Sequence, residues 1–472
     1  MTLLTCCICL FMAFLSVPAS PSAGQSANEA LPSPLTLEDA VHYALVHHPA
    51  MRAASAVEQE AAANLDIARD QCIPRGDIGL QENRATGNVV PGTHFTMTGI
   101  PPVSGPPTDR VFDSGVWGST AGLSLSYDIA HLTQYMLRAD AALADRLGAH
   151  ADADAQALAV AFGAADAFAV MVEADQQVKA GRVNVERAQV LHTTVDALAK
   201  SGMRPGADAA RAAAEIALAQ THLIRAEQVK DLSQAQLAQT LGAAGESIRV
   251  SPGRLAEQPP PATGNERISP VNPLILSADR AVHAADDRKR AAAMEFLPRV
   301  EIAAAIWGRG NGLFSGGAKL GFAQGVAPDT PNWAAGIAAT IPILQYPEIR
   351  ARIDLAAANA RLALARRDAV TQQVQTQIDS ARAILKNAYR AADEARISLE
   401  SSRAALNQAQ GRYRAGLYTI DAVAEALRLV AQAEASDAVA RTDIWRARML
   451  LARAVGELGP LLADISEASR GH

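Results

Sequence analysis

The sequence is poor in aromatic residues and in net charge. Phe, Trp and Tyr make up 4% of the 472 residues, which is little for a large globular core. Alanine is the largest contributor to the apolar content instead, and it favours helices and close helix contacts. A net charge of −6 provides no basic surface, so we expect no nucleic-acid partner. An apolar content of 49% excludes a largely disordered chain.

Cysteine is equally scarce, and most of it lies at the start of the chain. An uncharged apolar run at residues 3–17, followed by Val17-Pro18-Ala19, is typical of a secretory signal cleaved after Ala19. A buried apolar N-terminus is the alternative. Cleavage would leave Cys72 as the last cysteine, which excludes an intramolecular disulfide. We identify no later stretch with the roughly 20 apolar residues of a membrane helix, so we expect strands to make any membrane crossing.

The chain contains an internal duplication. Residues 121–129 match residues 335–343 in their alternating pattern, and the glycines Gly202 and Gly242 are matched by Gly416 and Gly456. Each of these pairs is separated by 214 residues (416 minus 202, for example). A constant register over this distance indicates two copies of one structural unit.

The residue pattern of each half predicts a helix, a strand, a long loop, a second strand, a very long helix, a turn and a return helix. Apolar residues in the long helices recur at alternating spacings of three and four residues, which is typical of a coiled coil. Large residues alternate with Ala, Ser or Gly along this seam, so we expect close antiparallel hairpins. The large positions of the first half are Met171, Val178, Val185 and His192, and those of the second are Ile378, Leu385, Leu399, Leu406 and Tyr413.

The predicted strands alternate apolar and polar residues, with Trp117, Trp307 and Trp333 in or beside them. This pattern favours membrane-barrel strands with an aromatic girdle. A half-buried sheet in a soluble domain is the alternative. Four strands cannot close a barrel, and open edges are not tolerated in lipid, so the chain must associate. Two copies would give a filled eight-stranded barrel, whereas three would give twelve strands and a pore.

These patterns predict a mostly α-helical protein with a small membrane β-part. The predicted boundaries are a signal at 1–19, a flexible segment at 20–34, a first repeat at 35–245, a linker at 246–269, a second repeat at 270–457 and a tail at 458–472. Within the repeats we predict strands at about 75–83, 118–129, 299–307 and 333–343, long helices at about 131–200 and 346–415, and return helices at about 207–241 and 419–455.

The order of these elements resembles the TolC-type outer-membrane factors, the outer membrane efflux protein family. Leu35-Thr-Leu-Glu-Asp-Ala40 with His48-Pro49 is similar to the family's N-terminal signature, and Tyr413-Arg-Ala-Gly416 through Gly456 resembles its C-terminal one. The resemblance covers about 35–457. It implies a homotrimer with a twelve-stranded barrel in the outer membrane and an α-helical periplasmic tunnel. It also implies passive export without a cofactor, with opening on contact with a periplasmic adaptor (membrane fusion) protein and an inner-membrane pump.

The resemblance points to the hairpin turns as a periplasmic gate. Family members can carry an acidic residue six or nine positions after the turn glycine, where this chain has Asp208 and Glu425. Tyr413 matches a tyrosine three positions before the second turn glycine. The other two positions at which family members can carry an acidic residue are Ala422 and Arg211 in this chain. The family's set of gate residues is therefore only partly present. Asp208 could equally be a helix N-cap, and Glu425 a solvated helix residue.

The turns themselves are candidate adaptor contacts, although they could be simple connections. The second turn carries Tyr418 where some members have a basic residue. The candidate contacts are Gly202, Met203 and Arg204 in the first turn and Gly416, Leu417, Tyr418 and Thr419 in the second.

No residue pattern predicts catalysis or a metal site. The glycine-rich segment 308–319 lacks the Gly-Lys-Ser/Thr of a phosphate loop. His42, His47 and His48 do not share a helical face in ligand spacing. We therefore expect not an enzyme but a porin-like outer-membrane channel of a tripartite efflux system, exporting drugs or metal ions. A type I secretion exit duct and a non-conducting periplasmic coiled-coil adaptor are the alternatives.

Overall fold

The computed structural model describes residues 31–86, 115–201, 205–257, 272–311 and 325–467. The chain divides into two compact units. The helical unit comprises, among the described residues, 31–53, 155–257 and 374–467, and the sheet unit comprises 54–154 and 272–373. The predicted signal at 1–19, the turn residues Gly202, Met203 and Arg204, and most of the predicted linker lie outside the described residues.

The elements follow the order that the sequence predicts, once in each half of the chain. The helices are α1 (Leu37–His47), α2 (Pro49–Asp70), α3 (Leu132–Lys200), α4 (Gly206–Leu241), α5 (Pro273–Ala293), α6 (Tyr346–Arg414), α7 (Ile420–Val455) and α8 (Gly459–Glu467). The strands are β1 (Arg75–Thr86), β2 (Gly115–Asp128), β3 (Arg299–Asn311) and β4 (Thr330–Thr340). The predicted fold class, mostly helical with duplicated hairpins and four strands, is confirmed in these elements.

The two hairpins repeat one another in helix length and in register. Hairpin 1 is α3 with α4, and hairpin 2 is α6 with α7. Both long helices have 69 residues and both return helices have 36. Each return helix ends at a glycine in the left-handed region, Gly242 at φ 76° and Gly456 at φ 105°. In both cases the following amide donates to a carbonyl five residues back, which is the Schellman arrangement that satisfies the last carbonyls of a helix.

Most large residues of the predicted coiled-coil seam are buried, and the others, Val185, His192 and Leu399, are half-buried. Met171 and Val178 are each 2% exposed in hairpin 1, and Ile378 is fully buried in hairpin 2. A Cβ atom added at Gly181 would lie 3.2 Å from Leu223 Cδ1, so the absence of a side chain there lets α4 approach α3 closely. The small seam residue Gly181 therefore permits a close helix approach in hairpin 1.

The four strands form one antiparallel sheet in the order β1-β2-β3-β4. Its register aligns Ile78, Leu123, Ile306 and Trp333 in one row across all four strands. Partners in register lie on the same face of a sheet, so this row is continuous. Its members are 77%, 40%, 61% and 79% exposed. The sheet thus presents an unpartnered apolar face, as a strand in contact with lipid does.

The structure adds detail to two sequence expectations and corrects a third. The predicted linker contains a 3₁₀ turn at Gly253–Ala256, and Val250 pairs with Leu35 in a parallel bridge. The predicted tail contains α8, because Leu458 and Ile465 are buried in the main apolar cluster of the helical unit. Finally, α3 does contain an 18-residue window apolar enough to cross a membrane. Half of that window is buried inside the protein, which is typical of a core helix.

Candidate functional site

The candidate gate residues Asp208 and Tyr413 come together in the helical unit. Asp208 lies in the first turn of α4 and Tyr413 near the end of α6. The Tyr413 hydroxyl donates to Asp208 Oδ2 at 3.1 Å. Tyr413 is 2% exposed and packs in an apolar cluster with Val195, Leu406 and Ile420. The hydrogen bond therefore connects hairpin 1 to hairpin 2 beside their turns.

Asp208 does not cap its helix. The N-cap of α4 is Pro205, which makes no side-chain capping hydrogen bond. Asp208 lies three residues further on, where a carboxylate still interacts favourably with the positive end of the helix dipole. Its side chain is thus positioned by the helix start and bonded to Tyr413.

Glu425 has a different environment. Its side chain is 64% exposed, and its carboxylate lies 3.6 Å from Arg428 of the same helix. An exposed pair of this kind contributes little to stability. This geometry matches the alternative given for Glu425 in the sequence analysis, a solvated residue on a helix face. Among the described contacts, Glu425 makes none with Asp208 or Tyr413.

The second turn ends α6 in a Schellman arrangement. Gly416 has φ 81°, and the amide of Leu417 donates to the carbonyl of Arg412 at 2.9 Å. Leu417 is 74% exposed at the tip of the turn. Thr419 is the N-cap of α7 but makes no side-chain capping bond. The turn is therefore fixed by its backbone and leaves its side chains accessible.

Arg412 supplies a cation at this turn. Its guanidinium lies 5.1 Å from the centroid of the Tyr418 ring and donates to the Tyr418 hydroxyl at 2.8 Å. Such stacking holds an arginine in place while leaving it charged. Tyr418, which stands where some family members have a basic residue, thus positions an arginine from the preceding helix.

A buried carboxylate that the sequence reasoning missed lies further along the hairpins. Glu215 is 4% exposed and accepts hydrogen bonds from two nitrogens of Arg428, at 2.5 and 3.3 Å. Arg211 lies 3.7 Å from the same carboxylate and 3.4 Å from Asp421. The hydrogen bond with Glu215 raises the pKa of Arg428. These residues connect α4 to α7.

A second missed carboxylate, Glu434, connects three helices. Arg187 of α3 donates to both of its oxygens, at 2.8 and 2.9 Å, and Arg403 of α6 donates at 3.0 Å. Burial by itself raises the pKa of Glu434, but the hydrogen bonds from Arg187 and Arg403 outweigh it and leave the pKa below its ordinary value. A bidentate pair of this kind fixes geometry as well as charge.

A third link lies further along the hairpins, away from the second turn. Arg446 of α7 donates to both oxygens of Asp166 of α3, at 2.7 and 3.3 Å. Burial, followed by the nearby charges of Asp443 and Asp166, raises the pKa of Glu173 on α3. The cluster holds one arginine among three carboxylates, so its charge is only partly balanced.

The seam pattern could have revealed these carboxylates. Glu215 lies between the buried Ala212 and Ala219 at spacings of three and four. Glu434 lies four residues after the buried Val430. A charged residue at an apolar seam position is a sign of a buried ion pair, but spacing alone does not identify the partner.

The chain matches the family described as Outer membrane efflux protein over residues 40–243 and 270–457. The chain belongs to this family. The resemblance inferred from the sequence is thereby confirmed, and the family is one of outer-membrane efflux channel components rather than of enzymes.

Individual relatives agree with this assignment. The chain is 24% identical over 416 residues to the pyoverdine export outer membrane protein OpmQ of Pseudomonas putida, covering 86% of this chain and 82% of the relative. It resembles the Campylobacter jejuni CmeC outer membrane channel with a TM-score of 0.72 and 18% identity, over 92% of this chain and 89% of that one. The Vibrio cholerae outer membrane protein VceC gives 0.73 and 16%, over 89% and 96%. These two structures establish the fold.

Family membership gives this outer membrane efflux protein its location, the outer membrane of a Gram-negative bacterium. It also resolves the choice between a channel and a periplasmic adaptor, because the match includes both hairpins and all four strands. Within the described residues, no group of three or more His, Cys, Asp or Glu side chains could hold a metal ion.

Proposed function

We propose that three copies of the chain form the outer-membrane exit duct of a tripartite efflux system. The observation that carries the proposal is the exposed apolar row Ile78-Leu123-Ile306-Trp333 on a sheet whose edge strands β1 and β4 each pair with one strand in the part of the chain that the structure describes. Lipid tolerates such a sheet only when its edges are closed. Three copies would supply twelve strands, enough for a barrel with a channel.

Export through this duct is passive, and its energy comes from partners. The partners are a periplasmic adaptor (membrane fusion) protein and an inner-membrane pump. We place the adaptor contact at the second turn, where Leu417 is exposed and the Arg412–Tyr418 pair presents a cation and an aromatic ring. By the 214-residue offset, Gly202, Met203 and Arg204 of the first turn are the sequence counterparts of Gly416, Leu417 and Tyr418, and we propose the same contact for them.

The gate is the Asp208–Tyr413 link. At rest the hydrogen bond holds the ends of the two hairpins together, and three copies would bring three Asp208 carboxylates to one end of the duct. A ring of carboxylates concentrates cations and repels anions. Glu425, exposed on α7, adds to the negative potential there without closing the link.

Conductance of the purified protein in a planar lipid bilayer tests this gate. Tyr413→Phe removes the donated hydrogen bond and keeps the ring in its apolar cluster, so we expect a higher resting conductance. Asp208→Asn should also lower the preference for cations. Tyr346→Phe, which removes a hydroxyl in the sheet unit, is the control. An unchanged resting conductance in Tyr413→Phe would exclude the gate, and no conductance in any variant would exclude the channel.

For the cargo we propose small molecules. OpmQ is named for pyoverdine export, so a pyoverdine-type molecule is the first candidate, with drugs and metal ions as the wider class. Expression in a strain that lacks its own pyoverdine outer-membrane channel tests this. Restored extracellular pyoverdine would support the first candidate. Restored drug or metal tolerance alone would move the assignment to the wider class, and restored protein secretion would favour a type I exit duct.

A further inference from the structure

The sheet has a second face, opposite the apolar row Ile78-Leu123-Ile306-Trp333. Side chains alternate between the two faces along a strand, and partners in register share a face. The next residue of each strand therefore lies in a row on the second face, Gly79-Gly122-Trp307-Asn332. The following row on this face is Gln81-Thr120-Arg309-Thr330. In the proposed duct the apolar row contacts lipid, so the second face lines the channel.

Trp307 therefore differs in position from the other strand tryptophans. The sequence pattern grouped it with Trp117 and Trp333 as an aromatic girdle. Its register partner is Asn332, whereas Trp333 pairs with Ile306 on the apolar face. A girdle tryptophan sits at the lipid headgroups. A tryptophan on the channel face has no such contact, so its ring is available to molecules that pass through the channel.

A cavity of about 520 Å³ lies beside Trp307, and most of its lining residues belong to the second face. The lining includes Gly79 and Gly122. A Cβ atom added at Gly79 would meet no atom of the described residues within 4 Å, so the space above this glycine is open. A Cβ atom at Gly122 would lie 2.5 Å from the Cβ atom of Trp307, so a side chain there would displace the tryptophan. The two glycines thus create a recess with an indole ring in its wall.

The residues around this recess determine what it can bind. The indole of Trp307 offers a flat surface on which another planar ring can stack. Arg309 is exposed on the same face, two residues further along β3, so the Cα atoms of these two residues are about 7 Å apart. Its guanidinium donates to oxygen acceptors, as can the amide of Gln81 and the hydroxyl of Thr120 in the same row. Trp307 alone would also accept an organic cation, but the positive charge of Arg309 disfavours one.

We propose that the recess formed by Gly79, Gly122 and Trp307 is a cargo-binding site on the channel face, and that it takes planar aromatic molecules with oxygen acceptor groups. The inference rests on the proposed duct and adds a point of contact along its passage. Three copies would place three such sites round one channel. Weak binding is sufficient, because a channel must also release what it binds.

Block of the channel current in a planar lipid bilayer tests this site. The probe is 2-naphthoate, and its saturated analogue decahydro-2-naphthoate has the same charge without the aromatic ring. Each acid is added to both compartments, so that it reaches the recess from the barrel end without passing Asp208. We expect 2-naphthoate to lower the current at a smaller concentration than the saturated acid. Equal block by the two acids would overturn the site.

A pair of tryptophan variants locates the block. Trp307→Leu removes the ring, and we expect the half-blocking concentration of 2-naphthoate to rise about fivefold or more, as the loss of one stacking contact would produce. Trp333→Leu on the apolar face is the control and should leave that concentration unchanged. Arg309→Gln should raise it about twofold, because an exposed charge in water contributes little. Equal shifts in the two tryptophan variants would overturn the site.

A second pair of variants keeps the tryptophan and fills the recess. Gly79→Val places a side chain in the open space, and valine suits a strand, so the block by 2-naphthoate should be lost. Gly336→Val is the matched control. Gly336 lies on the same face in β4, outside the recess, and an added Cβ atom also has room there among the described residues. Block that persists in Gly79→Val would contradict the proposal.

The current itself separates the two levels of inference. Variants that conduct as the native chain does and keep the native block would refute the binding site and leave the proposed duct standing. No current from the native chain or from any variant would refute both.

Discussion

Hairpin 1 and hairpin 2 have long helices of 69 residues each and return helices of 36 residues each, yet their charged residues do not correspond. The half-buried Glu434 of hairpin 2 has Gln220 as its counterpart, and the buried Glu215 of hairpin 1 has Leu429. The half-buried Glu173 has Asn387. Backbone geometry has thus been kept between the repeats while the ionic contacts have not.

This difference separates the residues that determine each hairpin's geometry from those that connect the two hairpins. The seam spacing and the terminal glycines determine helix length and pairing, and both repeats share them. The charged residues at seam positions determine how one hairpin attaches to the other. That attachment is needed once within each chain, so it has no reason to be symmetrical.

The largest effect is expected at Glu434. Glu434→Ala leaves Arg187 and Arg403 without their shared partner, and breaking a well-buried pair costs roughly 3–5 kcal/mol. Arg187 keeps 30% exposure of its side chain, so we expect a loss of about 2 kcal/mol in the free energy of unfolding. Thermal melting of the helical circular dichroism signal measures it. Gln220→Ala, the counterpart, should change little, and equal losses at the two sites would contradict the asymmetry.

The pH dependence of this pair sharpens the comparison. The folded-state pKa of Glu434 is below its unfolded value, so its stabilisation is complete above the unfolded pKa and is lost as pH falls through the folded one. We expect the difference in melting temperature between the native chain and Glu434→Gln to stay constant at neutral pH. It should shrink only in the acid range of a glutamate. A difference that grows on acidification would refute the pairing.

A comparable effect is expected where the repeats differ in the size of a seam residue. Gly181 faces Leu223 at a close helix approach, whereas its counterpart is Ala395. Gly181→Leu should force α3 and α4 apart and cost about 1–3 kcal/mol. Gly181→Ala is the control, because the end of the Leu223 side chain can move and alanine favours helix. Thermal melting compares the two, and equal stability would show that α3 and α4 are not closely packed there.

The smallest effect is expected at Glu173. Burial raises its pKa, so its charged form disfavours the fold above the folded-state pKa, and this penalty disappears as pH falls below the unfolded value. Glu173→Gln should therefore stabilise the protein by under about 1 kcal/mol at neutral pH and have no benefit in acid. Melting curves at both pH values check this, with Asn387→Gln as control. A destabilising effect at neutral pH would count against the charge cluster.

Much of the fold could be predicted because the relevant signals are local and repeated. The 214-residue offset and the three-four seam predicted both hairpins, and the alternation at residues 121–129 and 335–343 predicted β2 and β4. Helix α8 was missed because it has only 9 residues and its apolar side chains are buried by distant segments such as α1.

The candidate site was predicted less completely. Asp208 and Tyr413 came from the family resemblance, and the structure brings them to 3.1 Å. Glu425 came from the same resemblance but lies exposed beside Arg428. The partners of Glu215 and Glu434 could not be predicted, since they depend on how two hairpins separated by more than 200 residues pack.

The mass of the complex extracted from outer membranes in mild detergent tests the central claim most directly. The account predicts three chains. Each chain contributes a four-stranded sheet, and twelve strands are needed to close a barrel that has a channel. A single chain in that extract, or its absence from the outer membrane, would contradict the account.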